Sequence, residues 1–203
     1  MMIDLKGYEL ILASGSPRRK AYLESTGIPF TVKTHPIDES FPETLSGAAI
    51  AEYIALKKLN PFKSNSNKNQ IIVTADTIVW HKGNCLGKPQ NPAEASQMLQ
   101  QLSNSTHEVI TAIAILKDGD QSCFHSSTKV TFRALKMDEI EFYIQTQPPL
   151  DKAGSYGIQD WIGKIAISKI EGSYTNVVGL PLSQFVERLE RLLDNSPLND
   201  YVL

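Results

Sequence analysis

The sequence is poor in the features that mark several large protein classes. Its 203 residues include two cysteines, Cys85 and Cys123, which lie far apart and outside any CxxC or Cys/His spacing. We therefore expect two reduced thiols, with no disulfide framework and no zinc-binding module. No apolar run reaches the about 18 residues of a membrane-spanning helix, and the N-terminus lacks the apolar core of a signal peptide. These features predict a cytoplasmic protein without a membrane partner.

Neither sign of charge is in large excess. The chain has 20 Lys and Arg against 22 Asp and Glu, which gives a formal net charge of −2. A nucleic-acid interface needs clustered basic residues, because the release of counterions from phosphates supplies much of its affinity. We therefore expect no nucleic-acid partner.

Several catalytic motifs are also missing. The sequence contains neither the GxxxxGK[ST] pattern of a Walker P-loop nor the GxSxG pattern of a serine hydrolase. Its four histidines show no spacing typical of metal ligands. P-loop ATPases, serine hydrolases of that type and zinc metalloproteases are therefore excluded.

What is present is ordinary globular composition, with 41% hydrophobic residues and enough length for one large core. Strand and helix patterns alternate in the first half, and two long neighbouring strands follow at 107–116 and 123–135. A further strand is predicted over 164–170. This order predicts an α/β protein with a mixed β-sheet flanked by helices. We expect a single domain over 1–203, with 194–203 as a surface tail.

The segment SGSPRR follows a predicted short strand at 9–13 and opens a helix. Ser16 is a natural N-cap, and Pro17 suits the first helical position, where a missing N–H costs nothing. Arg18 and Arg19 oppose the helix dipole, each by about 0.3–1 kcal/mol, unless an anion occupies the same end. The segment is therefore either an anion site or a solvated basic turn.

A second helix is expected to begin at Ser46, its N-cap, and to end before Pro61. Four of its residues share one face at the spacing i, i+3, i+4, i+7: Ile50, Tyr53, Ile54 and Lys57. The simpler interpretation of Lys57 is an ammonium that reaches solvent along an apolar surface. The functional one brings Lys57 to a cleft beside the sheet, with Lys58 pointing elsewhere.

Asp76 interrupts an apolar strand pattern that runs from 71 to 81. An unpaired carboxylate is costly there, so Asp76 either caps local N–H groups at a strand end or bulge, or acts as a general base or metal ligand. Asp38 and Glu39 offer further carboxylates, although acidic loop residues are usually only solvated. The glycine-spaced loop at 151–159 is either a nucleotide-binding loop or a structural turn.

Together these segments resemble the Maf family of nucleoside triphosphate pyrophosphatases. The matching pieces occur in family order over about residues 9–190. The most specific are SGSPRR (14–19), ADT (75–77), GKP (87–89) and DKAGSYGIQ (151–159). The resemblance implies a Maf- or ITPase-like fold, in which an elongated mixed sheet is shared by two lobes with a cleft between them.

The resemblance also implies a reaction, in which a nucleoside triphosphate is cleaved between its α- and β-phosphates to give a monophosphate and pyrophosphate. It implies a divalent cation, Mg²⁺ or Mn²⁺, near Glu39 and Asp76, with Asp76 as the proton acceptor. Whether Asp76 takes the proton of the water or holds the metal that acidifies it stays open. The positions that match phosphate-binding residues are Ser14, Arg19, Lys57 and Lys88.

Within the family, the resemblance points to the branch that acts on dTTP and UTP. The matching specificity positions are Arg18, Thr77 and Gln159. A glutamine amide can accept from a pyrimidine N3–H while it donates to O4, so this set suits uracil and thymine. The alternatives are the same chemistry on another or a methylated base, and a nucleotide-binding regulator of cell division or septum formation. The resemblance also allows a homodimer.

Overall fold

The computed structural model describes residues 3–64 and 68–194, and a seven-stranded mixed sheet forms its centre. The strands are β1 (Glu9–Leu12), β2 (Thr31–Val32), β3 (Gln70–His81), β4 (Asn84–Leu86), β5 (Thr106–Lys117), β6 (Asp120–Phe132) and β7 (Ile167–Glu171). The helices are α1 (Pro17–Glu24), α2 (Ala48–Lys63), α3 (Pro92–Leu102), α4 (Met137–Thr146), α5 (Trp161–Ala166), α6 (Tyr174–Val178) and α7 (Leu182–Leu193). The predicted α/β architecture, a mixed sheet flanked by helices, is confirmed.

The strand order creates an opening along one edge of β3. The sheet runs β2-β1-β3-β5-β6-β7, and β4 pairs with β3 as well. β5 pairs with β3 over residues 71–80, so β1 (at 70–73) and β4 (at 79–81) both lie on the opposite edge. Within the described chain, residues 74–78 of β3 therefore have no strand neighbour on that edge, and the candidate site lies there.

Side chains of β3 alternate between two separately packed faces of the sheet. Ile72 and Ile78 pack in one cluster with α2, whereas Val73 and Val79 face the side covered by α1, α3 and α7. Because of this period of two, Asp76 lies on the α2 face and its neighbour Thr77 on the other. The two adjacent residues therefore meet different partners.

Both ends of α2 differ from the sequence prediction. Its N-cap is Gly47, with φ of 53° in the region that favours glycine, and not Ser46. Pro61 lies inside the last turn instead of ending the helix. The next residue, Phe62, is buried against the sheet, and its packing holds that turn although Pro61 lacks an N–H.

Two strand predictions also need correction. β3 is not interrupted at Asp76, because the backbone there pairs with Ala112 of β5 and a lysine neutralises the carboxylate. Residues 164–166, predicted as strand, complete helix α5, and β7 begins at Ile167. The backbone N–H of Arg133 donates to the Ala166 carbonyl at 2.8 Å, which ties the end of this helix to the end of β6.

Three further expectations concern the chain as a whole. Cys85 and Cys123 are free thiols, as predicted. Among the helices of 3–64 and 68–194, none combines the length and the apolar character that a bilayer crossing requires. The predicted surface tail lies outside the described residues from 195 onward.

A buried histidine makes the stability of this fold depend on pH. His107 packs against the rings of Phe132 and Tyr156, and its Nε2 is 2.8 Å from the Tyr156 hydroxyl. Burial lowers the pKa of His107 to about 3. In the unfolded chain this histidine takes up a proton near pH 6.5, whereas in the folded chain it stays neutral down to about pH 3. The stability that depends on the neutral His107 is therefore complete above pH 6.5 and is lost as the pH falls towards 3.

We expect the free energy of unfolding to fall between pH 7 and pH 5.5, with His107 contributing up to about 1.4 kcal/mol per pH unit. Urea unfolding of the wild type and of His107→Gln at both pH values measures this, and the variant should show the smaller difference. The exposed His125 on β6 provides the control His125→Gln. Equal pH differences in wild type and His107→Gln would contradict the prediction.

Candidate active site

A cleft of about 570 Å³ opens beside the free stretch of β3. Its walls include the SGSPRR turn (14–19), residues 76–79 of β3, the segment 87–88 after β4 and parts of the loop 151–159. These are the segments that the sequence singled out, and the fold brings them together. Of the predicted site residues, those that line the cleft are Ser14, Arg18, Arg19, Glu39, Asp76, Thr77, Lys88 and Gln159.

Two carboxylates converge on one ammonium group in this cleft. Nζ of Lys58 lies 2.7 Å from Oδ1 of Asp76 and 2.8 Å from Oε1 of Glu39. The other oxygen of Glu39 is 3.2 Å from Nζ of Lys88. The Asp76 side chain is 11% exposed and that of Lys58 16%, so this contact is largely shielded from water.

The surroundings shift the two carboxylates in opposite directions. Burial raises the pKa of Asp76, and the charge and hydrogen bond of Lys58 counteract that rise only in part. Burial also acts to raise the pKa of Glu39, but Lys58 and Lys88 together hold it below its ordinary value. Asp76 is therefore the better proton acceptor of the two, and Glu39 stays a fixed negative charge.

The predicted cleft lysine, Lys57, does not line the cleft, and Lys58 takes that place. Nζ of Lys57 lies 3.3 Å from a carboxylate oxygen of Asp38 and 3.0 Å from the carbonyl of Ser40, outside the cavity. The expectation that Lys58 points elsewhere was wrong. Sequence reasoning missed this residue.

Which of the two lysines reaches the cleft depends on which face of α2 packs on the sheet. The face that packs on the sheet includes Ala51 and Ala55, both fully buried, and Lys58 follows them at the spacing of a helix face. The apolar pattern used for the prediction gave weight to Tyr53, whose side chain is exposed. Small residues that permit close packing of a helix were the available signal.

Arg19 is fixed by one hydrogen bond from each of its three side-chain nitrogens. Nε donates to the carbonyl of Gly179 at 2.8 Å, Nη1 to the hydroxyl of Ser14 at 3.1 Å and Nη2 to the hydroxyl of Thr77 at 3.0 Å. A guanidinium has five N–H donors, so within the described chain one N–H on each terminal nitrogen remains for a ligand. Ser16 caps α1 through the backbone N–H of Arg19, as predicted.

Arg18, in the same turn, connects two segments of the cleft lining through an ion pair with Asp151. Its Nη1 is 2.7 Å from a carboxylate oxygen of Asp151, whose second oxygen is 2.7 Å from Nζ of Lys152. Burial acts to raise the pKa of Asp151, but Lys152 and Arg18 hold it below its ordinary value. Arg18 is therefore connected to the loop 151–159, which contains Gln159.

Gln159 has a buried amide oxygen that accepts no hydrogen bond from any described residue. A buried polar atom without a partner costs about 1–3 kcal/mol, and Gln159 is also a lining residue of the cleft, so its amide is a candidate contact for a donor from a ligand. Nδ1 of His107 and Oδ1 of Asn176 share this property, but neither residue lines the cleft.

Comparison with known proteins places the chain in one family. The family model described as Maf-like protein matches residues 9–192. The chain belongs to the Maf family. A relative from Phocaeicola vulgatus, named dTTP/UTP pyrophosphatase, is 47% identical over 193 residues, which are 95% of this chain and 100% of the relative. One of the same name from Flavobacterium johnsoniae is 44% identical over 189 residues, 93% of this chain and 97% of the relative.

A solved structure resembles this Maf protein in fold. The Staphylococcus aureus Ham1 protein has a TM-score of 0.50 and 17% sequence identity, and the match covers 89% of this chain and 98% of that one. At this identity the likeness concerns the fold alone.

The carboxylates of this Maf protein fit the divalent cation that the family resemblance implies. No group of three or more His, Cys, Asp or Glu side chains among the described residues is arranged to hold a metal. Mg²⁺, however, is commonly held by one or two carboxylates together with substrate phosphates and water. Asp76 and Glu39 form such a pair, and their oxygens already converge on one cation, the Lys58 ammonium.

Proposed function

We propose that this Maf protein is a nucleotide pyrophosphatase that hydrolyses dTTP and UTP to the monophosphate and pyrophosphate. The observation that carries the proposal is a buried carboxylate, Asp76, in the same cleft as a guanidinium, Arg19, that retains two N–H donors. The names of the two relatives support the choice of dTTP and UTP. A carboxylate beside an anion site is the arrangement that hydrolysis of a phosphoanhydride requires.

In this proposal, cationic side chains bind the triphosphate and neutralise the charge that develops during cleavage. Arg19 offers its two remaining N–H donors, and Lys58 and Lys88, which also line the cleft, add ammonium groups. We assign to Lys58 the phosphate-binding role expected of Lys57. Ser14 contributes indirectly, because its hydroxyl holds Nη1 of Arg19.

Asp76 is the proposed acceptor of the proton from the attacking water. Burial raises the pKa of Asp76 towards neutral pH, and a carboxylate with a higher pKa is a stronger general base. Glu39 and Asp76 would hold Mg²⁺ or Mn²⁺, which when bound adds charge neutralisation at the phosphates and acidifies a coordinated water.

We propose that Gln159 reads the base, with Arg18 and Thr77 beside it in the cleft wall. The unpaired amide oxygen of Gln159 can accept from the N3–H of uracil or thymine, whereas cytosine has an acceptor at that position. A rotated amide would also satisfy cytosine, so Gln159 alone cannot discriminate fully. Arg18 only donates, and it therefore favours a carbonyl over the exocyclic amine of cytosine.

The test is pyrophosphate release from UTP, dTTP, CTP and GTP with Mg²⁺ or Mn²⁺. We expect kcat/KM for UTP and dTTP to exceed that for CTP by several-fold to about a hundredfold, since an unpaired buried donor costs about 1–3 kcal/mol. Gln159→Ala should lose most of this preference and retain hydrolysis. Gln145→Ala, at an exposed position of α4, is the matched control.

Two outcomes of this test contradict different parts of the proposal. CTP or GTP turnover equal to that of UTP in the wild type would overturn the base-reading role and leave the pyrophosphatase. Tight nucleotide binding without pyrophosphate release from any substrate would overturn the enzyme and favour a nucleotide-binding regulator.

Two further expectations remain proposals. We place the protein in the cytoplasm, where both of its free thiols would stay reduced. We also retain the homodimer that the family resemblance allows.

A further inference from the structure

A chain of two hydroxyl groups runs from Arg19 in the cleft lining to α6. We propose that Thr111, buried on β5, is a positioning residue that acts on Arg19 through the hydroxyl of Thr77. The proposal rests on the proposed function, in which Arg19 binds the triphosphate. Thr111 itself is fully buried and does not line the cleft, so it touches no substrate.

The chain has three short links. Nη2 of Arg19 is 3.0 Å from the hydroxyl oxygen of Thr77, which is 2.9 Å from the hydroxyl oxygen of Thr111. The hydroxyl of Thr111 in turn donates to the carbonyl of Asn176 at 2.9 Å. Thr77 and Thr111 are directly opposite each other in the β3–β5 ladder, so the register of the sheet sets this contact.

The direction of every hydrogen in this chain is determined by its two ends. A guanidinium can only donate and a carbonyl can only accept, while each hydroxyl has a single hydrogen. Thr111 therefore gives its hydrogen to the carbonyl of Asn176, and Thr77 gives its hydrogen to Thr111. The oxygen of Thr77 is then left to present a lone pair to Arg19. Thr111 thus fixes the orientation of the hydroxyl that holds the guanidinium.

A second connection ties Arg19 to the same end of α6. Nε of Arg19 donates to the carbonyl of Gly179, and the N–H of Gly179 donates at 2.9 Å to the carbonyl of Asn176. Gly179 has φ of 112°, and a Cβ there would lie 3.2 Å from the Thr77 hydroxyl. The two routes from Arg19 therefore meet at Asn176 and form a closed ring of contacts.

The anchor of this ring is itself immobilised. Asn176 is fully buried, and its Nδ2 donates to the carbonyl of Val109 on β5 and to the hydroxyl of Thr128 on β6, both at 2.9 Å. Its position is thus set by two strands of the sheet. Because the carbonyl of Asn176 cannot move independently, Thr111 can transmit that fixed position to Thr77 and from there to Arg19.

The hydroxyl pair of Thr77 and Thr111 is not needed to hold the two strands together. On the same face of β5, the residues two positions before and after Thr111 are Val109 and Ile113, both buried and apolar. The β3–β5 ladder has many other pairs to hold it, so the pairing of the two strands does not depend on a hydroxyl at 111. The hydroxyl of Thr111 is explained if it keeps the Arg19 guanidinium in one orientation.

The test uses inorganic tripolyphosphate as a probe of the anion site, with its Kd measured by calorimetry. Thr111→Val removes the hydroxyl at nearly constant volume, and we expect about three- to tenfold weaker binding, the scale of one or two neutral hydrogen bonds. KM for UTP should rise by a similar factor, with a smaller change in kcat. Thr111→Ser keeps the hydroxyl and should bind like the wild type.

A matched control is available on the same strand. Thr106 and Thr131 form another cross-strand hydroxyl pair, at 2.8 Å between β5 and β6, in which Thr106 is exposed and Thr131 half-buried. Thr106→Val breaks this pair and should leave tripolyphosphate binding unchanged. If Thr111→Val does not fold, Thr111→Ala is measured in the same way.

A double variant separates positioning from a general loss of structure. In an Arg19→Ala background, Thr111→Val should weaken tripolyphosphate binding no further, because the group through which it acts is gone. Wild-type binding by Thr111→Val, or an undiminished effect in the Arg19→Ala background, would overturn the inference. Either result in an enzyme that still releases pyrophosphate from UTP leaves the proposed function intact, whereas failure of UTP hydrolysis in the wild type would overturn that function instead.

Discussion

Asp76→Asn is expected to lower kcat for UTP by at least about 100-fold, the usual scale for losing an acid–base group. The amide is nearly the same size and still faces Lys58, so the variant should fold and bind UTP. It cannot accept a proton from the attacking water, and it also removes one of the two negative charges available to a metal. Steady-state kinetics and UTP binding by calorimetry measure both effects.

Asp38→Asn is the matched control, because Asp38 pairs with Lys57 and lies outside the cleft lining. It should change kcat by no more than about twofold, the range of a surface substitution at a side chain that does not line the cleft. Near-normal turnover by Asp76→Asn would remove Asp76 from the mechanism. Loss of UTP binding in step with turnover would point to a binding role.

Lys58→Met should lower kcat/KM for UTP by about 10- to 100-fold, because charge-assisted contacts to phosphate are worth about 1.5–3 kcal/mol. The adjacent Lys57→Met should change it by less than about threefold, since that ammonium contacts Asp38 and Ser40 outside the cleft. The pair of variants distinguishes the two lysines directly. Equal losses in both, or a loss in Lys57→Met alone, would contradict the assignment made from the structure.

The pH dependence gives Lys58→Met a second readout. In the wild type, burial raises the pKa of Asp76 and Lys58 opposes that rise. Without Lys58 the pKa rises further, so the base becomes protonated at a higher pH and activity is lost earlier as the pH falls. The acidic limb of the kcat/KM profile should therefore move to higher pH in Lys58→Met and remain in place in Lys57→Met.

The sequence was most informative where the signal is local. The N-cap at Ser16 and the first helical position at Pro17 follow from residues that lie within one turn of each other. The family resemblance that the motif segments carry also implies a cleft, and the fold brings those segments to one cleft. Such features depend on short-range geometry and on residue types that are costly outside a particular setting.

The errors have a common physical origin in tertiary packing. The choice between Lys57 and Lys58 depends on how closely two alanines let α2 approach the sheet, and the path of α2 through Pro61 depends on the burial of Phe62. The contact of Thr77 with Thr111 depends on the register of two strands 34 positions apart in the chain. Such distant pairings leave no trace in a local pattern of apolar and polar residues.

The alternation of Asp76 and Thr77 across β3 also constrains how the gene for such a protein can change in length. Insertion or deletion of one residue within β3, between its pairing with β1 and Asp76, would turn each of these side chains to the opposite face of the sheet. The carboxylate would then face Arg19 and α6, and the hydroxyl would face α2. The spacing within β3, from the residues that pair with β1 to Asp76, is therefore as strict a requirement for this cleft as the carboxylate itself. Single-residue changes of length in exposed turns, by contrast, leave the register of β3 with β1 unaltered.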